Sequence, residues 1–201
     1  MMRVHTNKRA IRAFGIAESF RRGDAESVLG GVVMRSDLII DGVSLGRATV
    51  GGDDATPSMV RMYRALGRED VNVIMLSGCI ISHYNIVDLD GLSAKTGRPV
   101  ICLTYRESSG VEDAIRLAFR DPQGKLARYR MLGERTSIKL KTGQSVYVRL
   151  ASISQADASR VIESVTLQGG VPEPLRVAKL IAHARRSAGQ PSSRMSATSS
   201  R

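Results

Sequence analysis

Two short apolar runs constrain this chain more than any other feature. Residues 71–76 (Val-Asn-Val-Ile-Met-Leu) and 100–105 (Val-Ile-Cys-Leu-Thr-Tyr) are nearly unbroken, the pattern of strands covered on both faces in a parallel sheet. Between them residues 87–96 read as a helix that closes at Gly97 and Pro99. A strand, a crossover helix and a second parallel strand need a layer on each side of the sheet. Membrane-spanning and disulfide-framework designs fall away at once. No apolar run approaches the roughly 18–20 residues a bilayer requires, and no secretory leader opens the chain. The two cysteines, Cys79 and Cys102, lie in or beside apolar segments, where a free thiol acts as a small hydrophobe, so a reducing cytoplasm is the expected setting.

Upstream of the first run, residues 12–17 and 27–34 read as strands. Residues 38–40 and 43–50 supply further strand material around an Asp41-Gly42 turn. This is a β meander. Residues 51–55 then turn into a helix with Thr56 as its expected cap, Pro57 in its first turn, and Met59, Met62, Tyr63 and Leu66 on one face. Downstream, Ser109 and Glu112 have capping-box spacing ahead of a face made of Val111, Ala114, Ile115 and Ala118. A helix over 122–134, a hairpin of 136–141 with 145–150 around Thr142-Gly143-Gln144, and helices over 154–165 and 173–186 complete the order. The expected class is α/β: an antiparallel meander extended by parallel α/β crossovers, a ribonuclease H-like mixed sheet with C-terminal helices. A Rossmann-like arrangement stays open on this evidence. One domain is expected over 1–187, with a basic insertion at 122–150 and a disordered Ser-rich basic tail over 188–201.

The formal charge of +11 is unevenly placed. Arg3, Lys8, Arg9 and Arg12 stand at the start without an acid, and after Glu173 every charged residue is basic. Residues 125–149 carry seven basic groups against the single acid Glu134. Such a field suits nucleic acid, and Lys139 and Lys141 on the basic hairpin are candidate phosphate contacts. Basic tails that merely confer solubility account for the same totals.

Metal-assisted phosphodiester hydrolysis needs carboxylates gathered at the ends of adjacent strands, because Mg²⁺ takes oxygen ligands. The expected strand ends supply Glu18, Asp53-Asp54 and Asp88. Each also has a plain structural reading, as a solvated strand-end acid or a complement to a helix N-terminus. His83 and Asn85 follow the end of the 71–76 strand, where open α/β sheets bind ligands, and are candidate substrate contacts. His5 and His183 stand among basic residues without partners for catalysis. Ser77-Gly78-Cys79 lacks the Gly-x-Ser-x-Gly surroundings of a nucleophile, so Cys79 reads as packing. Gly169-Gly170 leads into a helix whose N-terminus suits an anion, with Arg176 one turn in as a bidentate phosphate grip.

Phe14-Gly15-Ile16-Ala17-Glu18, Asp54-Ala55-Thr56, residues 73–78 with Asn85-Ile86-Val87-Asp88, and above all Pro172-Glu173-Pro174-Leu175-Arg176-Val177-Ala178 resemble the archaeal endonuclease dU family. That family is similar to endonuclease V, with a ribonuclease H-like fold. The resemblance covers roughly residues 10–186. It implies Mg²⁺- or Mn²⁺-dependent nicking of DNA containing deaminated bases, deoxyuridine in particular, in DNA repair. It maps Glu18 and Asp54 onto acidic, metal-binding catalytic positions and Ser77 onto a metal-ligand position. Two residues depart from the pattern. Ala17 stands where many relatives show the first of two consecutive acids, and Ser77 stands where many show Asp before Gly. The implied function is therefore an endonuclease, with a catalytically weak or inactive nucleic-acid-binding protein of the same fold as the alternative. A small-molecule phosphate site at Gly169-Gly170 is a third reading.

Overall fold

The computed structural model describes residues 11–108 and 110–188. The meander is β1 (Arg12–Ser19), β2 (Glu26–Arg35) and β3 (Ile40–Thr49), followed by α1 (Ala55–Ala65) and β4 (Val73–Ser77). A small hairpin of β5 (Ile80–Ile81) and β6 (Asn85–Ile86) precedes α2 (Leu89–Thr96) and β7 (Val100–Thr104). Next come α3 (Glu112–Ala118), α4 (Gln123–Met131), β8 (Thr136–Lys139), β9 (Ser145–Ala151), α5 (Gln155–Ser164) and α6 (Glu173–Ala188). Seven strands form one mixed sheet in the order β3-β2-β1-β4-β7-β9-β8. β1, β4 and β7 run parallel, while β2 and β3 on one flank and β9 and β8 on the other run antiparallel. The mixed sheet is the ribonuclease H-like class expected, and the basic hairpin supplies two of its strands.

Alternation sorts the core into two layers. Phe14, Ile16, Ile74, Leu76 and Cys102 point to the side covered by α1 and α2, packing with Met59, Met62 and Leu92. Ala13, Val73, Met75, Ile101 and Leu103 point the other way, onto Val161, Ile162 and Leu175 of α5 and α6. α6 lies unusually close to the sheet. A Cβ at Gly15 would sit 2.7 Å from the Pro174 backbone and one at Gly30 would sit 2.3 Å from the Ala178 carbonyl oxygen. The Pro-Glu-Pro segment and the strand glycines thus form one close-packed contact.

Several local expectations are corrected. Asp41-Gly42 is not a turn. β3 runs through it, because a bulge between Val33 and Met34 skips Asp41 in the register and points its carboxylate at Arg12 Nε, 2.7 Å away. The chain reverses earlier, at Leu38, whose φ is 67°. Thr56 does not cap α1. Asp54 is the N-cap residue, and Thr56 Oγ1 accepts the Asp88 N–H at 2.9 Å. Val111 precedes α3 as its N-cap residue, with no side-chain bond, and Ser109 lies outside the described residues. So do His5, the N-terminal arm 1–10 and the tail 189–201, while α6 continues to Ala188. Among the described residues no helix is long and apolar enough to cross a membrane.

Candidate functional site at the strand ends

Glu18 ends β1 in phase with Phe14 and Ile16, so it faces the α1 side of the sheet. Its Oε2 accepts the Ser82 N–H at 2.8 Å and the Ser82 Oγ–H at 2.7 Å. Burial raises its carboxyl above the usual range, against the hydrogen bonds from Ser82 and the nearby Lys179 charge. Ser82, His83 and Tyr84 all have positive φ, at 45°, 56° and 64°. Three such residues in a row make the tight reversal between β5 and β6. That reversal aims Ser82 at Glu18 and, on its far side, Asn85 at Asp54.

Asp54 is held from three directions. Its Oδ1 accepts the Thr49 N–H at 2.9 Å and Asn85 Nδ2–H at 2.7 Å, and its Oδ2 accepts Thr49 Oγ1–H at 2.8 Å. Partial burial raises its carboxyl, but those hydrogen bonds outweigh it and the net shift is downward. Asn85 is fully buried, and besides Asp54 it donates to the Thr49 carbonyl oxygen and accepts the Ala55 N–H at 3.0 Å. It clamps the start of α1. His83, by contrast, is exposed at the tip of the hairpin against the Tyr84 and Phe119 rings.

Ser77 lies elsewhere. It is in phase with Met75, on the α5–α6 side of the sheet, and lines the same cavity as Tyr105, whose hydroxyl burial pushes up to about 12. Ala17, packed on Ala178, shares that side. The structure therefore brings Glu18 and Asp54 to the ends of one hairpin but leaves Ser77 across the sheet from Glu18. The positions where the resemblance marks departures, 17 and 77, fall on the same side as each other.

The other acids are engaged as well. Asp53 pairs with Lys125 at 2.9 Å and Arg128 at 2.6 Å, and Asp88 caps α2 by accepting the Gly91 N–H at 2.8 Å. Among the described residues no three His, Cys, Asp or Glu side chains gather as a metal site. Glu18 and Asp54 are met by N–H and O–H donors rather than by further oxygen ligands. As arranged, Glu18 Oε2 and both Asp54 oxygens are turned to protein donors and no third acid joins them, which makes a sparse ligand set for a divalent cation.

The expected phosphate contacts are scattered. Lys139 is exposed on the sheet's edge strand, β8. Lys141 reaches Glu163 at 2.9 Å. Arg176 is exposed and bonds Glu173 Oε2 through Nε at 2.8 Å, so the N-terminus of α6 already carries a carboxylate.

Sequence reasoning missed the cleft that opens beside Ser77. At the carboxyl ends of β4 and β7 lies a cavity of about 400 Å³ lined by Tyr105, Arg106, Tyr129, Arg135, Arg149 and Cys79, among others. A second hollow of about 620 Å³ shares Tyr129, Arg135 and Arg149 and adds Arg130 and Tyr147. Arg135 lies over the Tyr147 ring and Arg149 over Tyr129. Planar cations and aromatic faces in one cleft can hold phosphates and stack bases. The available signal was the basic excess of 125–149, but the arginines interleaved with tyrosines carry it rather than the hairpin lysines.

Comparison with known proteins decides the family, because the family model for endonuclease dU matches residues 9–185. The chain belongs to the endonuclease dU family. A UPF0215 protein of Pyrobaculum calidifontis is 42% identical over 168 residues, covering 83% of this chain and 92% of that one. A UPF0215 protein of Thermococcus kodakarensis is 32% identical over 161 residues, 79% of this chain and 81% of that one. Among solved structures, a protein of unknown function from Archaeoglobus fulgidus superposes with a TM-score of 0.76 at 24% identity, covering 87% of this chain and 98% of that one. Endonuclease V of Ciona intestinalis, solved with an inosine-containing 24mer DNA, superposes at 0.62 with 13% identity, covering 90% and 88%. The endonuclease dU chain therefore has an endonuclease V-like fold, and family and fold together support a nuclease.

Proposed function

We propose that this chain is an endonuclease of DNA containing deaminated bases, deoxyuridine above all, in which substrate grip is well built and the hydrolytic centre is depleted. It binds such DNA firmly and nicks it slowly. The single observation that carries this reading is the contrast at the strand ends. Glu18 Oε2 and both Asp54 oxygens are engaged by Ser82, Thr49 and Asn85, and positions 17 and 77 carry Ala and Ser, while the cleft presents exposed Arg106 and Arg130 with Tyr105 and Tyr129, Arg135 and Arg149 being tied to backbone carbonyls in its wall.

In this reading the exposed cleft arginines Arg106 and Arg130 hold backbone phosphates, the tyrosines stack bases, and exposed Lys139, Lys141 and Arg176 extend the field along the strand. His83, at the hairpin tip, meets the substrate rim, and Asn85 positions the start of α1 from within. A divalent metal would supply water activation and charge neutralisation in a nuclease of this class. Support for the DNA substrate comes from the family and from the inosine-containing DNA bound by the Ciona relative of the fold.

The test uses labelled deoxyuridine-containing and plain oligonucleotides with Mg²⁺, Mn²⁺ or chelator. Expected are salt-dependent binding and marginal nicking. Rapid metal-dependent nicking that disappears in both Glu18→Ala and Asp54→Ala would overturn the depleted-centre reading. It would favour the fully active enzyme, whose supporting observation is that one hairpin touches both acids.

A further inference from the structure

The Ser77-Gly78-Cys79 segment, which the nuclease reading leaves unused, ends in a sulfur with unusual company. Gly78 has φ +90° and donates its N–H to the Leu103 carbonyl oxygen at 2.9 Å, so the chain turns sharply at the end of β4. The turn carries Cys79 over β7, and Val87 N–H, bonded to the Cys79 carbonyl oxygen at 2.8 Å, pins it there. Cys102 sits on β7 opposite Leu76 and points into the same core layer as Cys79. Arg149, the cross-strand partner of Cys102, is the residue that reaches Cys79, and the nearby Cys102 thiol and the Arg149 charge lower the Cys79 thiol to about 7 against its burial. Arg149 Nη1 lies 3.5 Å from the Cys79 sulfur, and Cys79 forms part of the wall of the 400 Å³ cleft.

Cys79, only 1% exposed, stands in the wall of a cavity beside a guanidinium and shares its core layer with a second thiol, which together are the parts of a dithiol that peroxide can oxidise from within the cavity. The cation favours the thiolate, the cavity admits a small oxidant, and the neighbouring thiol resolves the product. We infer that Cys79 and Cys102 form a reversible disulfide when hydrogen peroxide enters the Arg–Tyr cleft. The Cys79 thiolate attacks one peroxide oxygen. The O–O bond breaks, leaving Cys79 as sulfenic acid and releasing hydroxide, which takes up the proton the thiol had lost. The Cys102 sulfur then attacks the Cys79 sulfur, the S–S bond forms, the S–O bond breaks, and water leaves with the Cys102 proton. Two thiols are oxidised and one peroxide is reduced to two waters. Neither sulfur takes part in the nuclease reading, and although the two share the cleft, thiol mass and link position in DNA-free protein decide this inference without reference to binding or nicking.

The experiment treats the full native chain with hydrogen peroxide, blocks remaining thiols and measures intact mass with and without dithiothreitol. Expected is the loss of two hydrogens per chain, reversal by dithiothreitol, and a Cys79–Cys102 link within one chain on non-reducing digestion. In Cys102→Ser, dimedone should tag Cys79, and in Cys79→Ser the lone Cys102 should stay unmodified. Arg149→Met should slow oxidation of the wild-type pair severalfold. Both thiols alkylated intact after treatment, a link between chains, or dimedone on Cys102 instead of Cys79 would overturn the inference. Should either serine variant fail to fold, the mass, reversal and link location in the unmutated chain still decide it.

Discussion

Two neighbouring regions at the same end of the sheet are built on opposite plans. Around Glu18 and Asp54, one Glu18 oxygen, both Asp54 oxygens and the Asn85 amide meet protein partners: Ser82 on Glu18 Oε2, Thr49 and Asn85 on Asp54, Ala55 on Asn85. Around Tyr105, Arg106, Tyr129 and Arg130, side chains border open volume, and Arg106 and Arg130 are exposed. The first is how a fold fastens a helix to a sheet, with buried polar groups hydrogen-bonded. The second is how a surface keeps cations available to a partner. Acidic residues at strand ends invite a catalytic reading, yet hydrogen-bond accounting separates a carboxylate that braces from one that is free to coordinate. Substitutions on the bracing side should therefore register as stability, and those on the open side as affinity.

The largest effect is expected at Asn85. Replacing it with Ala leaves the buried Ala55 N–H without its acceptor and removes a donor from both Asp54 and the Thr49 carbonyl. Urea denaturation should show a loss of about 3 kcal/mol. Asp54→Ala should cost about 2 kcal/mol, since it removes the acceptor of two Thr49 bonds and one Asn85 bond while Asn85 keeps its bonds to the Thr49 carbonyl and the Ala55 N–H. If either variant keeps its full stability, the bracing assignment fails and Asp54 returns to the open side of the comparison.

The division between the two regions was only half legible in the sequence. The unbroken runs at 71–76 and 100–105 declare buried parallel strands because no polar residue interrupts them, and α5 and α6 declare themselves by apolar spacing. That Ser77 shares a side with Met75 is also readable, since strand residues alternate. What no local pattern states is the register of β1 against β4, Ile16 beside Leu76, which sets Glu18 on the other side from Ser77. The partner of Glu18 is Ser82, and the partner of Asp54 is Asn85, both brought in by a two-strand hairpin too short to leave a periodicity. The Asp41-Gly42 pair has the composition of a turn, but cross-strand pairing and the Arg12 and Arg68 partners keep it in β3 as a bulge. The cleft is invisible for the same reason: its arginines and tyrosines come from the loop after β7, from α4, from the loop before β8 and from β9, and meet only after folding.

On the open side the expected effect is moderate and electrostatic. Arg106→Ala with Arg130→Ala removes two exposed cations from the cleft rim. Titrated by fluorescence anisotropy against a deoxyuridine-containing duplex, the double variant should bind about tenfold more weakly, with the slope of log K against log salt reduced by about 2. Its urea midpoint should stay close to that of the unmutated protein, because exposed substitutions shift stability by about 0.5 kcal/mol or less. An unchanged salt slope would move the nucleic-acid face away from this cleft.

The smallest effect is the most discriminating, because its sign separates the two plans at Glu18. Burial holds this carboxyl above its value in the unfolded chain. Between the unfolded and folded values the native state keeps a proton that the unfolded state has released, so stability is fully present below that window and falls as pH rises through it. Above it the native protein carries the cost of a buried charge. Glu18→Gln is neutral throughout and still offers an oxygen to the Ser82 donors, so it lacks this pH term. Calorimetry should therefore show the difference in Tm moving in favour of the variant, by a few degrees at most, between pH 4 and pH 8. Movement against the variant would mean that the fold stabilises the ionised carboxylate. Glu18 would then be a charge the protein has prepared for a cation, and the depleted-centre account of the site would have to be abandoned.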